Sequence, residues 1–123
     1  MRRTLTAFAC AVAFAASAGC GESEQEQARE VVQDYVDASN ANDFERVCEL
    51  YSETLKDQLG ATDCPAFVQE QSSGAETELE LVEVRVNGDR ATADLDAVSE
   101  QEGPARLGLQ LEREDDEWRI TGF

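Results

Sequence analysis

From Glu24 to Asn40 the apolar positions Ala28, Val31, Val32, Tyr35 and Val36 recur at intervals of three and four, with Glu30, Gln33, Asp34 and Asp37 off that stripe. This spacing predicts an amphipathic helix with one face turned to a core. Residues 40–43 break the pattern, and Asn42 followed by Glu45 has the form of a capping box for a second helix. That helix carries Phe44, Val47, Cys48, Tyr51, Leu55 and Leu59 on one face and stops near Gly60. A third, short helix is predicted to start at Thr62 or Asp63, because Pro65 suits a first turn and Ala66, Phe67 and Val68 follow. Residues 71–75 are a polar break containing Gly74.

Beyond the break the period changes to two. Residues 78–86 contain Leu79 and Leu81, then Val82, Val84 and Val86, so the apolar set changes face between Leu81 and Val82 and predicts a bulge there. Asn87-Gly88 is a strong hairpin signal, suited to a type I′ turn. Residues 90–98 return with Ala91, Ala93, Leu95 and Ala97 alternating against Thr92, Asp94 and Asp96. After a connection at 100–104, Ala105, Leu107, Leu109 and Leu111 alternate in a third strand. The acidic residues 114–117 form a turn, and 118–123 the last strand. About four antiparallel strands thus follow the helices, and the sheet must cover its apolar face with those helices to make one core.

The N-terminal stretch follows neither period. Arg2 and Arg3 precede an Ala-rich apolar run from Leu5 to Ala16, and Ser17-Ala18-Gly19 leads into Cys20. The run is shorter than the roughly 20 residues a membrane span needs, so it reads as a cleavable export signal. Ala18-Gly19-Cys20 resembles the lipobox of bacterial lipoproteins, in which the cysteine sulfur is lipidated before cleavage. Ser17 departs from the usual Leu of that motif. The resemblance implies a signal peptide at 1–19, a lipidated Cys20 with a polar tether at 20–27, and a single domain at 28–123. It also implies attachment through the lipid to the outer face of the cytoplasmic membrane. Ordinary secretion, with Cys20 free or paired, is the plainer alternative.

Of four cysteines, Cys10 leaves with the signal and Cys20 is the expected anchor. Cys48 and Cys64 are then left together in an oxidising compartment, where they should pair. With no C-x-x-C and no His in the chain, a redox or metal role for them has little support.

Charge narrows the partners. The chain has 10 basic and 27 acidic residues; without Arg2 and Arg3 eight basic residues remain, a formal −19. Binding to nucleic acid through a basic face is therefore not expected. The acidity is explained first by solubility of an exported domain, and second by a basic partner.

Three stretches resemble the nuclear transport factor 2-like superfamily, the cystatin-like α+β cone: residues 31–36 (VVQDYV) in the first helix, residues 42–48 (NDFERVC) opening the second, and residues 118–123 (WRITGF) at the end. The resemblance covers roughly residues 26–123. It implies N-terminal helices packed on a curved antiparallel sheet of about four strands, with a pocket between sheet and helices. Members of the superfamily serve as enzymes, binding modules or dimerising scaffolds, and a subset of lipoproteins with a cysteine in the second helix is similar in layout.

The superfamily's catalytic arrangements are a His/Asp pair, or a Tyr with buried carboxylic acids. The first is excluded by the lack of His. The second would use Tyr35 with Asp94 or Asp96 facing inward, whereas the alternation turns those acids away from the Ala/Leu face. The acidic run 114–117 lacks the Asp-x-Asp-x-Asp-Gly spacing of a calcium loop and reads as a solvated tip. No Ser/His/Asp set, Walker loop or dinucleotide-binding Gly-rich turn is present.

The expectation is a non-catalytic binding or interaction module of the cell envelope, with no cofactor or metal. Its candidate partners are a small apolar ligand, another envelope protein or a second copy of the chain. Tyr35, Ala91, Ala93 and Trp118 are the candidate pocket, with the small alanines leaving room for a ligand. An isomerase or dehydratase using a buried carboxylate is the alternative.

Overall fold

The computed structural model describes residues 23–60, 63–72, 77–99 and 103–123. The expected signal, Cys10 and Cys20 lie outside the described residues. Four helices, α1 (Glu24–Asn40), α2 (Phe44–Leu50), α3 (Glu53–Leu59) and α4 (Cys64–Ser72), precede four strands, β1 (Thr77–Asn87), β2 (Arg90–Ser99), β3 (Gly103–Glu114) and β4 (Glu117–Gly122). The strands form one antiparallel sheet in the order β1-β2-β3-β4, on which the helices pack. Helices followed by an antiparallel sheet are what the change of period predicts, and their packing into an α+β cone is what the superfamily resemblance implies.

Ser23 caps α1, its hydroxyl accepting from the Glu26 amide at 3.2 Å, so residues 24–27 of the expected tether form the first turn of the helix. Glu24 and Glu26 lie where the helix dipole favours negative charge. Ala28, Val32, Val36 and Ala38 are its buried stripe. The last residue of α1 also secures the sheet. The Asn40 side-chain amide donates to the Leu79 carbonyl (2.9 Å) and accepts from the Leu79 amide (2.8 Å), while Gln25 donates to the Val84 carbonyl. Two helix side chains thus satisfy backbone groups on the outer edge of β1 that have no strand partner.

The second expected helix is two helices. The α2 segment ends at Leu50, Tyr51 is extended (φ −77°, ψ 145°), and Ser52 caps α3 by accepting from the Leu55 amide at 3.0 Å. The interruption is made by a distant strand: Tyr51 forms a parallel bridge with Ile120, and the Ser52 amide donates to the Ile120 carbonyl at 2.9 Å. The cap of α2 is Asp43 rather than Asn42. The Asp43 carboxylate accepts from the Arg46 amide, while Asn42 takes a left-handed φ of 57° and turns the chain. Asp63 caps α4 in the same way, accepting from the Ala66 amide.

In the sheet the register slips between Leu81 and Glu83, making Val82 the extra residue of the expected bulge. The turn signals are redistributed. Asn87 pairs with Arg90, so the first hairpin turns at Gly88-Asp89 with positive φ only at Gly88, a type II′ pattern instead of type I′. The I′ pattern occurs at the acidic tip, where Asp115 (φ 50°) and Asp116 (φ 64°) are both left-handed, a conformation Asp tolerates better than most residues.

Rows of inner-face side chains cross the sheet, Val84-Ala93-Leu109 in one and Val86-Ala91-Leu111-Ile120 in another. Leu95, Leu111 and Ile120 are fully buried, each contributing about 1.5–3 kcal/mol of hydrophobic stabilisation. The inner face is not covered throughout. Only Leu109 and Leu111 of the four expected β3 residues are buried, while Ala105 and Leu107 are exposed. The cause is the short final strand: β4 pairs with β3 only from Gln110 to Glu114, and residues 103–109 of β3 have no strand on that side among the described residues.

Candidate functional site

The apolar cleft of the domain assembles where the helices meet the end of β4. Tyr35 comes from α1, just off its buried stripe. Tyr51 is held in place by the bridge to Ile120, and Leu59 ends α3. Phe123 follows β4 and meets the Tyr51 ring edge-on, with centroids 5.7 Å apart at 79°; the Tyr35 and Tyr51 rings are 6.5 Å apart. Phe67, Val68 and Gln71 of α4 close the remaining side. The cleft has a volume of about 390 Å³. Phe123, 61% exposed, stands at its mouth.

Besides the Gln71 amide, two phenol hydroxyls are set among these rings. Burial pushes the Tyr35 phenol above its ordinary value, while hydrogen bonds from Ser39 and Tyr51 act the other way. Burial also pushes Tyr51 up, and the neighbouring Tyr35 adds to the shift. Both are therefore neutral hydrogen-bonding groups over the ordinary pH range. A neutral phenol hydroxyl can both accept a hydrogen bond and donate its own proton. The cleft can thus hold an apolar body and engage a polar atom, while no carboxylate side chain lines it among the described residues and the chain has no His.

The acids considered for proton transfer lie elsewhere. Asp94 and Asp96 point to the outer face of the sheet, Asp94 with Arg85 at 3.0 Å and Asp96 with Arg106 at 2.7 Å. Of the candidate pocket residues, Tyr35 lines the cleft. Ala91 and Ala93 are 3% and 0% exposed in the hydrophobic core, where the small side chains are filled over by neighbours instead of opening a cavity. Trp118 is buried in the same core, its indole N–H has no hydrogen-bond partner among the described residues, and its edge reaches a separate polar groove beside Asp34, Arg46 and Arg119. Cys48 and Cys64 form a disulfide with Cα atoms 6.0 Å apart.

Sequence reasoning missed Leu59, Phe67, Val68, Gln71 and Phe123 as cleft residues. The signal available was the cysteine pair, which ties the start of α4 to the helix that ends beside Tyr51.

A larger groove of about 580 Å³ runs between α2, α3 and the acidic tip. Its cations are engaged: Arg46 with Asp34 and Glu49, each at 2.9 Å, Lys56 with Glu53 at 2.8 Å, and Arg119 with Glu117. We read it as a solvated ion-pair surface. Among the described residues no three His, Cys, Asp or Glu side chains are grouped to hold a metal ion.

The fold is shared with solved structures. A nuclear transport factor 2-like protein of unknown function from Burkholderia xenovorans LB400 is similar with a TM-score of 0.58 at 18% identity, over 80% of this chain and 82% of that one. A second such protein, from Shewanella baltica OS155, gives 0.57 at 12% identity over 78% and 86%. A ketosteroid isomerase-like protein from Erwinia carotovora atroseptica SCRI1043 gives 0.54 at 16% over 82% and 93%. These likenesses establish the nuclear transport factor 2-like fold and leave activity to the geometry of the site. No family model and no curated protein matches the chain.

Proposed function

We propose that this protein is a binding module of the cell envelope that holds a small apolar molecule in the cleft of Tyr35, Tyr51, Phe67 and Phe123, and that lipid on Cys20 keeps it at the outer face of the cytoplasmic membrane. The observation that carries the ligand is the cleft: an aromatic and aliphatic lining with two neutral phenols, the Gln71 amide and, among the described residues, no carboxylate or imidazole side chain. A proton-transfer enzyme on this fold would need a carboxylate or imidazole within reach of the substrate. Asp94 and Asp96 are instead engaged by Arg85 and Arg106 on the opposite face. A second copy stacked on that outer face would meet a surface where Glu80, Glu83, Asp94 and Asp96 outnumber Arg85 and Arg106, so the reading puts the cleft ligand ahead of self-association. The membrane anchor rests on the lipobox-like Ala18-Gly19-Cys20 alone.

The test is native mass spectrometry of the protein purified from the envelope of cells that export it. The expected spectrum carries a bound small molecule that Phe67→Asp removes, and a diacylglyceryl mass that Cys20→Ser removes together with membrane attachment. Empty protein in both wild type and Phe67→Asp sinks the ligand reading. Unchanged membrane attachment in Cys20→Ser sinks the anchor. A bound carbonyl compound that the protein converts, with loss of conversion in Asp94→Asn/Asp96→Asn, would replace the binding module by an enzyme.

A further inference from the structure

Helix α4 is held differently from the other three. Buried residues secure α1 (Ala28, Val32, Val36), α2 (Val47, Leu50) and α3 (Leu55) to the core. No residue of α4 whose side chain is described is fully buried: Cys64, Pro65, Phe67 and Val68 are half-covered and the others exposed. It packs chiefly on α2, and the Cys48–Cys64 bridge joins α2 to its first residue. Yet this weakly buried helix supplies Phe67, Val68 and Gln71, one wall of the apolar cleft.

The position of the bridge has a geometric effect. Cys64, Val68 and Gln71 stand at i, i+4 and i+7, so they share one stripe of the helix, with Phe67 beside it at i+3. Fixing Cys64 against α2 fixes which way that stripe points. Released at Cys64, a helix of nine residues with so little burial would not hold this orientation by itself.

We infer that Cys48 and Cys64 are positioning residues for the cleft: their bridge, more than burial, holds α4 as its wall, so binding depends on the bridge while the core of α1 and the sheet does not. The inference rests on the cleft being the ligand site. It makes the site sensitive to dithiol reductants, which would pass two electrons and two protons to the bridge, leaving two thiols here and a disulfide on the reductant.

The experiment compares full-length wild type with Cys48→Ala/Cys64→Ala, using hydrogen exchange read by mass spectrometry and photolabelling with benzophenone, an uncharged apolar probe, mapped to the peptides that carry Tyr35 and Phe123. We expect exchange protection to persist in α1 and β2 and to vanish in α4, and labelling to drop at least tenfold. Wild type treated with dithiothreitol should reproduce both changes. Protection retained in α4 with labelling within twofold overturns the inference. Loss of protection throughout α1 and β2 overturns it too, since the bridge would then hold the whole domain. If wild type is not labelled, the ligand reading fails separately, and α4 exchange alone decides: protection lost there sustains the positioning role, and protection kept ends it.

Discussion

The α1–sheet body and the α4 wall are built on opposite terms. The body is held by burial: Val32, Ala93, Leu95 and Ile120 are each 0% exposed, and Asn40 and Gln25 seal the outer edge of β1. The wall is held by one covalent bridge and partial contacts. The difference teaches that burial and a covalent bridge hold distinct parts of this domain. The apolar cleft lies on the seam between them, where the half-covered α4 faces the buried body.

The sharpest way to break the comparison is in the body. Leu95→Ala should cost about 4 kcal/mol, the transfer loss plus the cavity left at a site that cannot collapse. Urea unfolding followed by far-UV circular dichroism should show one cooperative transition at a lower midpoint. A change under 1 kcal/mol, on the order expected of a surface site, would mean that the sheet centre is not the core.

Removing the bridge tests the other side. Its two ends are 16 residues apart, and the chain-entropy model puts its contribution at about 3 kcal/mol, acting mainly on the unfolded chain. Reduction should therefore lower the unfolding midpoint while the Trp118 near-UV signal of the native baseline remains.

The two phenols sharpen the seam. Below pH 10, their ordinary value, Tyr35 and Tyr51 are neutral in folded and unfolded chains alike and add no pH dependence. Above it the unfolded chain gives up protons that the folded chain retains. Stability should then fall by about 1.4 kcal/mol per pH unit for each group until the folded phenol titrates as well. Tyr51→Phe should remove its share of that alkaline loss, and an identical alkaline slope in the variant would show that Tyr51 is not buried neutral.

Smaller effects are expected at the edges. Ser52→Ala removes the cap of α3 at a buried position and should cost about 1 kcal/mol by chemical denaturation. Arg85→Ala, which breaks exposed pairs with Glu83 and Asp94, should leave the urea unfolding midpoint within error of wild type. A larger loss there would make the outer face part of what holds the body together.

What was legible in the sequence was the part governed by local period. The change from intervals of three and four to intervals of two marked the passage from helices to sheet, and the apolar set switching face at Val82 located the bulge. The break at Tyr51-Ser52 was hidden because the stripe from Phe44 to Leu59 keeps helical spacing across it, and the group that opens it, the Ile120 carbonyl, is far away in sequence. The first turn differs because Asn87 pairs with Arg90 as the last residue of its strand, which moves the turn by one residue to Gly88-Asp89. Of the cleft, only Tyr35 was legible. Ala91 and Ala93 are small for close packing, and side-chain size alone does not separate that from a cavity. Phe67, Val68 and Phe123 line one cleft because α4 and the end of β4, distant in sequence, meet in space.

Residues 103–109 of β3 carry one more consequence. A strand edge of this kind is a template on which another chain can extend the sheet, and Pro104 blunts it by a single missing donor. At neutral pH a formal charge of −17 per chain opposes such lateral growth. Near the isoelectric point of about 4.1 that colloidal barrier disappears, and concentrated salt shortens its reach to about 3 Å at 1 M. Concentration and storage of the protein are therefore best kept well above that pH and at low ionic strength, where copies remain apart.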